Sequence, residues 1–373
     1  QGARILLKSV PHAMSLTRDQ LEARLHYPLG TTLPEPGRAL VVAPGVKWIR
    51  MTLPFALDHI NLWLLRDTLD GREGWTVVDC CIARDEARAQ WEDIFANELA
   101  GLPVLRVIVT HMHPDHIGLA HWLCERWSTD GHECRLWISA TDFTMARIGS
   151  QSTTGFGGEA AASFFASQGM SDPESLEKIR GRASYYPSMV PGVPRSFVRL
   201  LDGQTVAIGG TDWRCIAGYG HAPEHIALHC DELRVLISGD MVLPRISTNV
   251  SVYAATPNDD PLGWFLRSLR DLCNIPDDTL VLPSHGKPFK GIRSRVEQLV
   301  EHHRERCEVL LAACRTPRTA FELLPTLFPR ALDTHQVMFA MGEAIAHLNH
   351  LESQGTLSRQ VDANGLIRFT PCP

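Results

Sequence analysis

The stretch VLRVIVTHMHPDHIGLAHWL, residues 104–123, places three histidines and an aspartate within six residues, directly after a run of Val, Ile and Leu. The apolar run reads as a buried strand, and IGLAHWLCERW (117–127) behind it reads as a helix. The polar cluster therefore falls at the carboxyl end of a strand in an α/β protein, where open sheets bind ligands. His111 and His113 are two residues apart, so in an extended turn their imidazoles can converge on one cation. Asp115 and His116 follow at the start of the helix and point to a second position. Imidazole together with carboxylate suits zinc, iron or manganese. The bland alternative is a helix cap built on Asp115, and chance clustering of four such groups is rare.

Working outward, apolar runs recur at 45–53, 60–66, 75–79, 104–110, 135–139, 195–200, 212–218, 225–230, 233–239 and 279–284. Helical patterns at 83–99, 117–127 and 261–273 lie among them. Strands and helices intermingle, so the class is α/β or α+β, with enough strands for more than one sheet. Four metal-binding groups could not complete two shells, and the chain offers three more. His221 lies in GHAPEHIAL (220–228), Asp240 in SGDMV (238–242) and His285 in PSHG (283–286), each just after an apolar strand. Glycine beside each lets backbone come close to a cation.

Residues 143–194 differ in style, rich in Gly, Ala, Ser, Phe, Tyr and Met, and read as a helical insertion or lid. Its aromatic and Met residues (Phe156, Phe164, Phe165, Tyr185, Tyr186, Met189) suggest an apolar group in the substrate. The first 39 residues form an extension with a short helix at about 17–26. Beyond residue 290 the patterns are helical at 291–314, 318–328 and 336–355, and TLSRQVDANGLIRFT (356–370) reads as a hairpin with an Asn-Gly turn. Three helices and a hairpin suggest a winged-helix-like module. It carries nine Arg, no Lys and nine Asp plus Glu. That neutral balance favours a structural, dimerising or substrate-shaping role over nucleic-acid binding.

At 373 residues, 44% apolar, 21% charged and net charge −6, the composition is that of an ordinary globular chain. No apolar run is long enough to span a membrane, and the start has no apolar signal region. Gln1 and Gly2 are set aside as a tag remnant. The ten cysteines are scattered, without a C-x-x-C pair, and read as reduced small hydrophobes of a cytoplasmic protein.

Through THMHPDHIG (110–118), GHAPEHIAL, SGDMV and PSHG the chain resembles the metallo-β-lactamase superfamily of hydrolases. The resemblance covers roughly residues 40–290 and implies an αββα sandwich, followed by a module at 291–373 similar to the β-lactamase-like protein 2 group. It implies His111, His113 and His221 around one metal, Asp115, His116 and His285 around a second, and Asp240 bridging them. Asp79, in TVVDCC (76–81), matches an early strand-end carboxylate that orients a ligand. Two departures stand out: Cys80-Cys81 replaces the usual Thr-Gly, and Leu119 replaces a common second Gly. Cys80 or Cys81 as a ligand is left open, with packing the plainer role.

The resemblance implies two divalent ions, zinc first, with iron or manganese as alternatives. A metal-bridging hydroxide would then attack, with Asp115 and Asp240 handling its proton. G-x-S-x-G is absent, which argues against a serine hydrolase. The expected reaction is hydrolysis of a carboxylic ester, lactone or thioester with an apolar group; the alternative is a phosphodiesterase or endoribonuclease. A purely structural metal site is disfavoured because seven ligands leave coordination positions open. Phe164, Phe165, Tyr185 and Tyr186 are the candidate substrate-lining residues. The expected partner is a small molecule, with a homodimer open, nucleic acid disfavoured and no membrane.

Overall fold

Alternation along the strands decides the layering. In β2 (Val46–Thr52), Trp48 points into one core while Ile49 and Met51 point into another. In β3 (His59–Leu69), Trp63 and Leu65 share the core of Trp48, whereas Ile60, Leu62 and Leu64 face the other way. Side chains that alternate between two apolar faces mark a sheet covered on both sides. The computed structural model describes residues 20, 23–151, 157–332 and 334–372.

The first sheet has seven strands in chain order: β1 (Ala39–Ala43), β2, β3, β4 (Arg72–Val78), β5 (Val104–Ile108), β6 (Arg135–Ile138) and β7 (Phe197–Arg199). Its first four strands form an antiparallel meander, and β4 to β7 are parallel. The second sheet runs β12 (Leu280–Pro283), β11 (Val235–Gly239), β10 (His225–Cys230), β9 (Thr211–Gly218) and β8 (Thr205–Ile208). Ile226, Leu228, Val235, Ile237 and Leu282 of that sheet meet Trp48 and Trp63 of the first in one inter-sheet core. Helices Asp85–Asn97 and Ala120–Trp127 cover the outer face of the first sheet, and Pro261–Leu272 covers that of the second. This is the expected αββα sandwich.

All ten expected strands are present. Two further strands, β1 and β8, complete the sheets as edge strands. The helix expected at 117–127 is two helices, Pro114–Ile117 and Ala120–Trp127. The break arises where Leu119 N–H donates to Cys81 O at 3.0 Å. A Cβ on Gly118 would meet Cys81 O at 2.7 Å, so only glycine passes there. The short helix expected at 17–26 lies largely outside the described residues. Of its remainder, residues 23 and 24 form a turn, and His26 makes a single bridge to Lys290.

The insertion is helical, over Ala140–Gln151, Gly158–Ser167, Pro173–Arg180 and Tyr185–Met189. Its first and last helices pack with the outer core of the first sheet, through Ala146, Tyr186 and Met189. Its middle helices join the outer core of the second through Phe165 and Ile179. The insertion thus straps one outer layer to the other. Beyond β12, helix Ile292–Ala313, the short turns Phe321–Leu327, helix Thr334–Ser353 and the hairpin β13 (Leu357–Val361) and β14 (Ile367–Pro371) share one core with Leu262, Phe265 and Leu269. The expected hairpin forms, with Asn364 and Gly365 in the connection between Val361 and Ile367. Asp362 N–H donates to Leu366 O, and the Asp362 carboxylate takes N–H bonds from Asn364 and Leu366. That side-chain acceptor widens the loop and leaves Gly365 alone at positive φ. No helix among the described residues is long and apolar enough to cross a membrane.

Trp48 and Trp63 stack in the inter-sheet core with centroids 6.3 Å apart, both fully buried. Trp63→Ala is expected to destabilise the fold by about 3–5 kcal/mol and Trp63→Phe by much less. Denaturant unfolding of the two variants against the parent checks this; equal midpoints for all three would deny that the Trp63 ring contributes to the inter-sheet core.

Candidate metal centre

Each candidate ligand follows a strand of the sandwich. His111, His113, Asp115 and His116 follow β5, His221 follows β9, Asp240 follows β11 and His285 follows β12. The side chains meet. His111 Nε2, His113 Nδ1 and His221 Nε2 lie 2.9, 3.0 and 3.1 Å apart pairwise. His285 Nε2 lies 3.4 Å from Asp115 Oδ2, and His116 Nε2 lies 3.7 Å from the same oxygen. Asp240 stands between the groups: Oδ2 is 3.3 Å from His221 Nε2, and Oδ1 is 3.5 and 3.6 Å from His285 and His116 Nε2.

The outer nitrogens decide what the inner ones can do. His116 Nδ1 donates to Asp79 Oδ2 at 2.7 Å, His221 Nδ1 to Asn249 O at 2.7 Å and His285 Nδ1 to His59 O at 2.7 Å. The Thr110 hydroxyl sends its proton to Asp79, so it accepts from His111 Nδ1 at 3.0 Å. A neutral imidazole whose outer nitrogen carries the proton presents a bare lone pair inward, which is what a cation needs. His116 Nε2 and Asp240 Oδ1 are fully buried without a hydrogen-bond partner. Orphaned buried polar atoms are costly, and these two face one another across the second group. The residues present therefore fit divalent cations.

Charge points the same way. Burial drives His111 far below its usual range, helped by His116, and takes His113 down to about 3. Burial would also lower His116 and His285, yet the carboxylates around them win. Asp79, Asp115 and Asp240 raise His116, while Asp240 and Asp115 lift His285 to about 10. Burial would raise Asp115, but His116 and His285 hold it at about 2. The carboxylates demand positive charge at this spot.

Asp79 is fully buried and also accepts Thr110 N–H at 2.8 Å. Sequence reasoning missed four supports: His59, Asn249, Asp142 and His225. Asp142 Oδ1 takes Met112 N–H at 2.8 Å and its Oδ2 takes Glu224 N–H at 2.7 Å, pinning two ligand loops together. Asp240 N–H donates to His225 Nε2 at 3.2 Å. His225 sits inside GHAPEHIAL and was legible there. Asp142 and Asn249 carry no such signal. Cys80 and Cys81 are fully buried in the outer core, and Cys80 Sγ bonds His116 O at 2.8 Å. Burial pushes both thiols up, Cys81 to about 12, which suits packing rather than ligation. Cys81 has φ 68°, a left-handed conformation at the position where the resemblance calls for glycine.

A cavity of about 380 Å³ opens on the cluster, lined by His113, Asp115, His221, Asp240 and His285 at one end. Phe165, Tyr185 and Tyr186 line it as expected from the insertion, together with Met189 and Arg182. Phe164 does not: its ring turns into the helical core beside Phe165, with centroids 5.6 Å apart. Phe156 lies outside the described residues. Tyr186 is less available than its position suggests, because its hydroxyl donates to Met112 O at 2.5 Å.

The fold and this cluster define a metallo-hydrolase, and the chain belongs to the metallo-beta-lactamase superfamily, whose model matches residues 56–285. Residues 307–372 match a second model, the metallo-beta-lactamase-like C-terminal domain. The chain is 26% identical over 321 residues to the "Probable metallo-hydrolase YqjP" of Bacillus subtilis, covering 85% of this chain and 95% of that one. A beta-lactamase domain protein from Burkholderia ambifaria has a similar crystal structure, with 50% identity, a TM-score of 0.89 and coverage of 94% and 99%. A metallo-beta-lactamase family protein from Thermus thermophilus gives 29% identity, a TM-score of 0.69 and coverage of 89% and 100%.

Asp79→Ala removes the acceptor that fixes His116 and Thr110. It is expected to weaken metal affinity about 10–100-fold, measured by titrating chelator-stripped protein with zinc against a competing chelator. Unchanged affinity would remove Asp79 from this role.

Proposed function

We propose that the protein hydrolyses a carboxylic ester, lactone or thioester whose acyl part is apolar. In this reading two divalent cations, zinc first, are held by His111, His113 and His221 and by Asp115, His116 and His285, with Asp240 serving both. The observation that carries it is the cavity. It joins the seven-residue cluster to a mainly apolar wall, and Arg182 is its sole Lys or Arg among the described residues. A polyanion needs several phosphate-neutralising cations along its path.

When bound, such cations supply Lewis acidity and a water acidic enough to ionise near neutral pH. The chain's own groups do the rest. Asp115 and Asp240 lie at the cavity floor with carboxylates kept ionised by neighbouring imidazoles, so either can take the proton of an attacking water. With the Nδ1 protons of His221 and His285 given to Asn249 O and His59 O, the Nε2 atoms of both rings would face a bound cation with their lone pairs. Leu53, Phe55, Phe165, Met189 and Leu243 exclude bulk water and favour an apolar acyl group over a charged one.

The nucleic-acid reading finds little support in the tail. Arg304 is engaged by Glu301 and Glu308, Arg359 by Glu352, and Arg368 by Glu322 and Asp362. Arg295 is buried, donating to Leu243 O and Ile246 O. These cations are committed within the fold.

Asp240→Ala is expected to lower the metal content of the purified protein and abolish turnover; two metals with full activity would overturn the bridging assignment. A panel of esters, lactones and acyl thioesters against bis-p-nitrophenyl phosphate and single-stranded RNA tests the substrate class. Ester or thioester turnover that barely responds to salt supports the proposal. Salt-sensitive RNA cleavage, losing ~0.7 log units of affinity per log unit of salt for each contact, would replace it.

A further inference from the structure

Part of the cavity's apolar wall comes from a segment of the chain that lies outside both sheets. Met338, Phe339 and Gly342 line it, and all three belong to helix Thr334–Ser353 of the tail. Met341, Ala344, Ile345 and Leu348 of this helix are buried in the helical core. Met338, Phe339 and Gly342 form the neighbouring strip, at i, i+1 and i+4, turned to the cavity. Phe339 keeps 45% of its surface exposed. A large aromatic ring left at the wall of an enzyme cavity is apolar surface that a ligand can cover.

The helix is held there closely. A Cβ on Gly342 would lie 2.6 Å from Ser251 Oγ and 2.7 Å from Ser251 Cβ, so the loop can pack on the helix only because residue 342 has no side chain. Glycine inside a helix is destabilising relative to alanine, and this contact gives it a reason to be there. Val252 N–H donates to Gly342 O at 3.1 Å. Three residues earlier in the same loop, Asn249 O takes the Nδ1 proton of His221. Tail helix, loop and candidate ligand form one hydrogen-bonded path, so the position of the wall is fixed relative to the reacting centre.

We propose that helix Thr334–Ser353 determines specificity, with Phe339, backed by Met338, as the wall that sets the acyl-chain length the enzyme accepts. This rests on the ester or thioester reading above. A larger side chain at 339 shortens the apolar end of the cavity, and a smaller one lengthens it. Residue 339 contributes nothing to the cluster of candidate ligands.

The test uses the full-length, metal-loaded protein with Phe339→Trp and Phe339→Ala, and a series of acyl thioesters from butyryl to dodecanoyl. Phe339→Trp is expected to move the ratio of long-chain to short-chain kcat/KM towards short chains by about tenfold, and Phe339→Ala towards long chains by a similar factor. Metal content should stay at the parent value in both, and the change should appear mainly in KM. A profile that shifts for neither variant overturns the proposal. If the parent hydrolyses no thioester or ester, the reaction reading fails, and the wall is judged by calorimetric binding of free butyrate to dodecanoate. There, an opposite shift in chain-length preference for the two variants supports the wall, and identical profiles overturn it.

Discussion

At the end of β4 the buried carboxylate of Asp79 gathers the Thr110 backbone N–H, the Thr110 hydroxyl and the His116 ring N–H. A carboxylate taken out of water costs several kcal/mol unless donors replace the solvent, and here three donors from the histidine loop do so. Asp79 itself sits at φ 59°, in a region that non-glycine residues seldom occupy. The strand pairing holds it there, since Asp79 N–H donates to Ile108 O of the adjacent β5. The local strain is thus offset by the sheet and by the loop that the carboxylate organises. His111 depends on the same point through Thr110, so both groups of candidate ligands are referred to one side chain.

The sandwich converts this local order into a site. Parallel strands β4 to β7 and the pair β11 and β12 release their loops on one edge of the two sheets, and ligands from both sheets converge there. Their distance in sequence is large, but His116, His221 and His285 are each anchored through Nδ1, by Asp79, Asn249 O and His59 O. The insertion and the tail then wall the cavity with apolar side chains, which is why it is apolar beyond its floor. A polar floor built by strand-end loops under walls drawn from an insertion and a tail is the division of labour expected of a fold that hosts many substrates.

The seven candidate ligands were legible because each follows an apolar strand and lies in a short motif with a recognisable chemistry. Ten strands were legible for the same reason. β1 and β8 escaped because they are edge strands: Val41 is exposed, and TVAI is only four residues long. Asp142 and Asn249 escaped because their value lies in contacts with loops far along the chain, which no local pattern records. Phe164 was misplaced because its ring packs into the helical core shared with the tail, a contact between distant parts of the chain that no local pattern records. The hairpin was legible from its Asn-Gly turn, but the length of its loop was not, because the Asp362 carboxylate, two residues before that pair, captured backbone donors.

We propose that the seven residues hold two cations with Asp240 between them. Diffraction from crystals grown with zinc, recorded on both sides of the zinc absorption edge, tests it directly. The account predicts two anomalous peaks, one among His111, His113 and His221 and one among Asp115, His116 and His285, with a carboxylate oxygen of Asp240 towards each. A single peak, or a pair of peaks not flanking Asp240, would contradict it.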